Sequence, residues 1–347
     1  MQTALQPLLS VVQRNCHIAD ARHAGDYTLC VYLLKMREYF RWEKGYSFQD
    51  ILPDTAVGDW LKEREQFWRT LEDEAFADVP VNGDRYDPFD SDAINAAINP
   101  HGLVYSAGIG NQNAPHFFLG RLKECAMHAD FSVLVADHEY ARDLTAPPAM
   151  ALGTTIFVRR ESLRRLIWEK IEEWRWSKLD NAMGRAMHGY DFAGDEQAAL
   201  EQMTDAELES ALLHEKGELL AGQRLGPDWE EMLSRLPHSQ AALMTRAVRD
   251  HLADALSTLP ALLRDGEDAS LHFYFANLTS MRKHLFPSLS RAYGNWLASG
   301  DRTPITTLIP VSAAHWEALA TQMLGIHRSQ PGDLSASLQE LIGNSRL

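Results

Sequence analysis

Cysteine is scarce in this chain: Cys16, Cys30 and Cys125 are the only three in 347 residues, and no CxxC occurs. That excludes a disulfide framework and a zinc ribbon, and it fits a reducing cytoplasm. No run approaches the roughly 18 uninterrupted apolar residues that a membrane-spanning helix needs. The start, MQTALQPLLSVVQRNCH, has no basic segment ahead of an apolar one, so the expectation is a cytoplasmic chain that stays where it is made, with no membrane partner. Lys and Arg are outnumbered 33 to 48, for a net charge of -15. Phosphate backbones are bound by neutralising cations, so nucleic acid is not an expected partner either. SAGIGNQN is glycine-bearing but has no GK[ST], which excludes a P-loop, and G-x-S-x-G is missing as well. There is no haem-attachment motif, internal repeat or low-complexity tract.

What is present is 45% hydrophobic and 23% charged, enough apolar residue for a sizeable core. The acidity is local. Residues 54–92 carry 12 acids against 4 bases, and residues 195–231 carry 11 against 2. The remainder is close to neutral, and such runs read as solvated faces. From Arg159 to Lys178 the balance reverses, with seven bases and four acids. There the i,i+4 spacing of Glu161 to Arg165 and Arg165 to Glu169 reads as a mixed polar helix face rather than a binding patch.

Hydrophobic spacing puts Leu5, Leu8, Val12, Cys16, Ala19 and His23 on one helical stripe. Gly25 marks a bend, and residues 27–44 are apolar around almost the whole wheel, which predicts a helix central to the fold. VPVNGDRYDPFD reads as a loop. HGLVYSAGIG, DFSVLVAD and TTIFV read as short strands, while LTAPPAMALG cannot be regular helix across its proline pair. Helical spacing returns from residue 160, where Leu163, Ile167, Ile171 and Trp174 share a face. Thr204-Asp205-Ala206-Glu207 reads as a capping box opening a helix through about Ala221, with Gly222 as its stop. Another helix runs from about Gln240 to Leu259, stopped by Pro260, whereas LHFYFANLTSMRKHLF suits a helix or a strand. The fold class is mainly α, a multi-helix body with a small β insertion in the middle third, with α+β as the alternative. The segments are helical over 1–78, loops and strands over 79–158, and helical over 159–347, joined in one compact body.

Function is sought where polar groups fall on faces that the pattern buries, because a buried charge needs a partner or a ligand. In His17-Ile-Ala-Asp20-Ala-Arg-His23-Ala-Gly-Asp26 an imidazole or acid recurs every three residues. An acid and a His at i,i+3 on a helix can point at one ion, and this ligand chemistry suits iron, manganese or zinc. The spiral cannot bring all these groups together, so Asp20 with His23 is the favoured pair, and His17 and Asp26 are weaker candidates. In Leu213-His214-Glu215-Lys216-Gly217-Glu218, Glu215 falls on the line of Leu208, Leu212 and Leu219, and His214 is one turn from Glu218. The order departs from H-E-x-x-H by having Glu218 in place of the second imidazole, which argues against a zinc peptidase and for iron or manganese. Arg37 and Arg41 flank Glu38 and leave an unbalanced positive charge suited to gripping a substrate carboxylate or phosphate. Asp250 and Asp254, one turn apart, and His272 are supporting candidates, with His116 and Glu139 near the strands. Each set has a structural alternative, namely helix-to-helix hydrogen bonds for the histidines, pairing of Glu215 with an arginine such as Arg249 or Arg37, and neutralisation of Arg37 and Arg41 by an Asp or Glu from another helix. Cys16 and Cys30 read as small hydrophobes.

CHIADARHAGDYTLCVYLLKMREYFRWEKG, EYARDLTAPPAM, RRESLRRLIWEKIEEWRW, RAVRDHLADALSTLP and LHFYFANLTSMR together resemble an uncharacterised family of bacterial proteins of about this length. The resemblance runs through most of the chain and implies a bacterial cytoplasmic protein without assigning a reaction. The leading expectation is a helical metalloprotein, a non-haem iron or manganese oxidoreductase acting on a small anionic molecule. Asp20, His23, His214, Glu215 and Glu218 would hold the metal, and Arg37 and Arg41 would orient the substrate. The rival expectation is a non-catalytic interaction or assembly protein with buried ion-pair networks, and the sequence leaves a homo-oligomer open.

Overall fold

The structure is a computed structural model that describes residues 2–110, 114–177, 179–236, 239–329 and 332–347. Its architecture is mainly helical with a β insertion, and the chain divides into two compact units, Met1–Glu169 and Lys170–Leu347.

In the first unit, α1 (Gln2–His23) leads through a 3₁₀ turn at Ala24–Asp26 to α2 (Leu29–Lys44) and α3 (Asp54–Arg69). A hairpin of β1 (Val79–Val81) and β2 (Asp84–Tyr86) and the short α4 (Ser91–Ile98) follow. Then come β3 (Leu103–Ile109), β4 (Pro115–Met127), β5 (Ser132–Arg142), β6 (Ala149–Leu152) and β7 (Thr155–Arg159). They form one sheet in the order β3-β4-β5-β7-β6, in which β5 and β7 are the parallel pair. The helix α5 (Arg160–Ser177) carries the chain across the unit boundary.

Strand alternation sorts the sheet into two faces. Phe117 and Leu119 of β4 pack with Leu8, Val12, Cys16 and Ala19 of α1, while Phe118 joins Val104, Leu134 and Phe157 in a separate cluster. The apolar stripe of α1 thus buries as its spacing predicts, and the N-terminal helix and the strands share one core.

Three features differ from the sequence expectation. The segment VPVNGDRYD is a hairpin rather than a loop: Asn82 and Gly83 have φ of 54° and 98°, the left-handed pair that a two-residue turn demands. The long β4 goes unread in the sequence because only its first half is apolar and buried, while most residues beyond Gly120 are exposed. Finally, α2 is not central along its whole length. Leu29 and Leu34 are 71% and 58% exposed, and burial begins only at Met36, where Tyr39 and Phe40 meet Trp60.

The second unit is helical throughout its described residues: α6 (Ala182–Met187), α7 (Glu196–Leu225), α8 (Asp228–Ser234), α9 (Gln240–Ala253), α10 (Leu259–Asp265), α11 (Asp268–Asn277), α12 (Ser280–Leu285), α13 (Pro287–Ser299), α14 (Thr303–Arg328) and α15 (Leu334–Asn344). Trp229, Val248, Leu252, Leu271, Trp316, Met323 and Leu338 form its core. The segment of ambiguous period, LHFYFANLTSMRKHLF, is helical. Thr204 and Glu207 do not open a helix. They sit buried inside α7, whose N-cap is Asp195, and Thr204 donates its hydroxyl to the Leu200 carbonyl. Nor does Gly222 end it, since α7 runs on to Gly226.

Between α9 and α10 the helix widens into a π turn at Asp254–Thr258, where Leu259 N–H donates to the Asp254 carbonyl. Pro260 would clash with the carbonyl of residue 256 in a regular α-helix, and the wider turn lets the chain pass through it instead of stopping. Among the described residues no helix is long and apolar enough to cross a membrane.

Candidate functional site

In the first unit the end of α1 meets the loop between β5 and β6. Asp20 and His23, a turn apart, Asp26 in the 3₁₀ turn, and Tyr27, Pro115 and Thr145 line a cavity of about 270 Å³. Asp20 is buried, at 4% exposure. Its Oδ1 accepts a hydrogen bond from the Leu144 N–H at 2.8 Å, whereas its Oδ2 has no hydrogen-bond partner among the described residues. Burial, and then the nearby Asp143, push the Asp20 carboxyl well above its ordinary value. Its Leu144 bond and the charges of Arg142 and Arg64 offset only part of that rise.

The loop is built by Asp143. Its Oδ1 accepts from Ala146 N–H at 2.7 Å and its Oδ2 from Phe117 N–H at 2.8 Å, tying the loop to β4. Ala146 is held at a φ of 39°, ahead of Pro147. Such a left-handed alanine costs about 1–3 kcal/mol and persists where its surroundings enforce it. The strained turn sets Thr145 at the cavity, where its hydroxyl lies 3.1 Å from the Tyr27 hydroxyl. Also at the cavity, His23 Nδ1 lies 3.1 Å from the Asp26 carboxylate. Behind the site the Cys16 thiol donates to the Phe117 carbonyl, and burial, with Asp143 and Asp20, keeps it protonated.

The remaining sequence candidates of this unit lie elsewhere in it. His17 sits against Arg64 and Trp68, and burial and Arg64 lower its pKa to about 3. The Arg37–Glu38–Arg41 set does not form a substrate grip. Arg41 is buried and donates to Glu38 at 3.0 Å and to the carbonyls of Ser47 and Asp50, which staples the turn after α2, while Arg37 is 44% exposed on its side chain. Glu139 is encircled by Arg159, Arg165, Arg142 and Ser162. Burial alone would raise it, but these partners hold it down at about 2. His116 is buried, and burial lowers its pKa.

In the second unit Asp254, at the start of the π turn, accepts from His214 Nδ1 at 2.9 Å, from the Tyr274 hydroxyl at 2.8 Å and from Arg282. Arg282 and His214 outweigh burial and hold this carboxylate well below its ordinary range. Burial would lower His214, yet its bond to Asp254 and the charges of Asp254, Glu218 and Glu215 raise it to about 10. Both oxygens of Glu218 are engaged by Arg249, at 3.2 and 3.3 Å. Glu215 is buried on the same helix, and burial raises Asp250. His272 is apart from this cluster, stacked on Trp296 and 3.0 Å from the Tyr293 hydroxyl.

Gly217 explains how His214 reaches Asp254. A Cβ at 217 would stand 2.3 Å from the Ala253 carbonyl oxygen, so glycine alone allows this approach of α7 to α9. The buried face of α7 is accordingly that of Met203, Glu207, Gly217, Ala221 and Leu225, while Leu208, Leu212 and Leu219 are half-buried.

The structure therefore brings Asp20, His23 and Asp26 round one cavity, and separately gathers His214, Glu218 and Asp254 into a network closed by arginines. Among the described residues no three His, Cys, Asp or Glu side chains are grouped to hold a metal ion. Sequence reasoning missed Tyr27, Asp143 and Thr145 in the first site and Tyr274 and Arg282 in the second. The available signal was the Asp ahead of LTAPP, an acid placed to bond its own backbone before a proline pair. Residues 7–159 match the N-terminal domain, and residues 164–345 the C-terminal domain, of a family of unknown function, DUF6866. Neither the curated proteins nor the solved structures gave a match. With both domains matched in order along almost the whole chain, this protein belongs to the DUF6866 family.

Proposed function

We propose that the protein binds a small cationic ligand in the Asp20 cavity. The observation that carries this reading is the buried Asp20 oxygen without a donor, beside a cavity lined by Asp26, His23, Tyr27 and Thr145 and by no Lys or Arg. Burial favours the protonated form of a carboxylate so placed, and a positive group entering the cavity would favour the ionised form, so that binding would displace a proton. An ammonium and a metal ion both supply that group, and both release the proton. The metal form of the reading is an iron or manganese centre doing redox chemistry on a small anionic molecule. It is supported by Asp20, His23 and Asp26 lining one cavity, residues whose carboxylate and imidazole chemistry would suit such an ion. The resemblance of the sequence to an uncharacterised bacterial family is what supports a bacterial cytoplasmic setting for this activity.

Calorimetric titration tests this directly, with Mn(II), Zn(II) and anaerobic Fe(II) in one series and butylamine and 1,4-diaminobutane in another. One series is expected to bind with a Kd below about 1 mM and to lose at least about tenfold in affinity in Asp20→Asn. Metal binding selects the metalloprotein form and amine binding the organic ligand. If neither series binds, or if Asp20→Asn binds as well as the parent, the reading fails, and the buried networks around Glu139 and Asp254 stand as fold-holding features alone.

A further inference from the structure

The second unit has its own cavity, larger at about 410 Å³, lined by residues of α5, α6, α11 and α12 and of the connection between α5 and α6. Its wall is mixed, and the aromatic part of it is held in place by neighbours. The Trp174 indole donates to the Leu179 carbonyl at 2.8 Å. Gly184 lets α6 press on that ring, since a Cβ there would stand 2.8 Å from the indole nitrogen. Phe275 is stacked on Tyr293 with centroids 4.0 Å apart. Met183 lines the cavity beside them.

The charge at the rim is the reverse of that on the chain as a whole. Lys170 and Lys283 face a single acid, Glu173, in a protein of net charge -15. The Lys283 ammonium makes no hydrogen bond or ion pair among the described residues. A cavity with rigid aromatic walls and local positive charge recognises the opposite of what the Asp20 site recognises. Apolar surface leaves water against Trp174 and Phe275, and an ammonium meets a negative group at the edge.

We propose that this cavity binds a small amphipathic anion, an aryl or branched-alkyl carboxylate. Its apolar part lies against Trp174 and Phe275, and its carboxylate is met by Lys283 and Lys170. The basic stretch before Lys178, which reads as a mixed helix face in the sequence, then contributes one cation to a ligand.

The test is calorimetric titration of the whole protein with 3-phenylpropionate and its neutral amide, 3-phenylpropionamide. The carboxylate is expected to bind at least about tenfold more tightly than the amide. Lys283→Gln, a change at an exposed position, should remove most of that preference, and Lys170→Gln the rest. Trp174→Phe should weaken both ligands while keeping the preference. Asp20→Asn should leave this binding unchanged, which separates it from the first site. Equal affinity for acid and amide, a preference that survives loss of both lysines, or no heat at on the order of 10 mM ligand would overturn the proposal.

Discussion

Two buried aspartates, one in each unit, have nearly the same exposure and opposite chemistry. Asp20 is 4% exposed and Asp254 1%. Asp254 is met by an imidazolium, a guanidinium and a phenol and stays ionised, while Asp20 has one backbone donor, a second aspartate nearby and a free oxygen. Burial is common to both, so it does not decide ionisation. What decides it is whether the fold delivers a cation, because desolvation penalises the charged form by an amount that only close opposite charge or several donors can outweigh. The second unit supplies that cation from Arg282 and His214, whereas the Asp20 Oδ2 has no donor among the described residues.

The largest expected effect comes from removing the cation where it is present. Arg282→Met should destabilise the protein by about 3–5 kcal/mol at pH 7, read from urea unfolding, because it strands a buried carboxylate. Adding Asp254→Asn should recover much of the loss. If the single variant costs under about 1 kcal/mol, Asp254 is not an ion-pair centre and the contrast with Asp20 collapses.

Glu207 sharpens the comparison, since it is a buried acid of the second unit without the arginine that Asp254 has. Burial pushes it up to about 7, with Ser270 and Ser210 offsetting part of the rise. A raised folded-state value means stability that is full below the unfolded value of about 4.3 and lost as pH rises through 7. Glu207→Gln should therefore be nearly neutral at pH 4 and stabilise by about 3 kcal/mol at pH 8. Stability curves that stay parallel from pH 4 to pH 8 would show that Glu207 has a cation after all.

The smallest effect is expected at Asp20. Its folded-state value is also raised, so its contribution is present at low pH and fades as pH rises. Asp20→Asn, which resembles the protonated acid, should change stability by less than about 1 kcal/mol at pH 4 and become relatively more favourable as pH rises. A loss of several kcal/mol at every pH would mean that the carboxylate is ionised and paired, and would erase the difference between the two sites.

Local patterns carried much of the fold. The stripe from Leu8 to Ala19, the strands around Leu103, Ser132 and Thr155, and the return to helix at residue 160 follow from side-chain periodicity, which is a property of neighbouring residues. Where the reading went astray, a distant partner had intervened. The leucines of α7 define a convincing apolar line, yet the helix turned its Gly217–Ala221 face inward, because α9 can approach only where side chains are small. The segment around Asn82-Gly83 reads as a loop because proline and charges interrupt the alternation of the short strands on either side, which pair only in the folded hairpin. Asp20 and His23 could be singled out because they share a helix, whereas Thr145, on the loop that Asp143 ties to β4, reaches the same cavity from more than a hundred residues away.

By itself, then, the sequence determined the mainly helical class, the place of the β insertion, the absence of a membrane-spanning apolar run, and a short set of candidate acids and histidines. Tertiary structure alone decided which of those acids received a cation. Periodicity fixes the direction in which a side chain points along its own helix, but charge compensation depends on what the facing element presents within about 4–6 Å. Arg282 reaching Asp254, and no base reaching the free oxygen of Asp20, were settled by the packing of helices that local sequence does not specify.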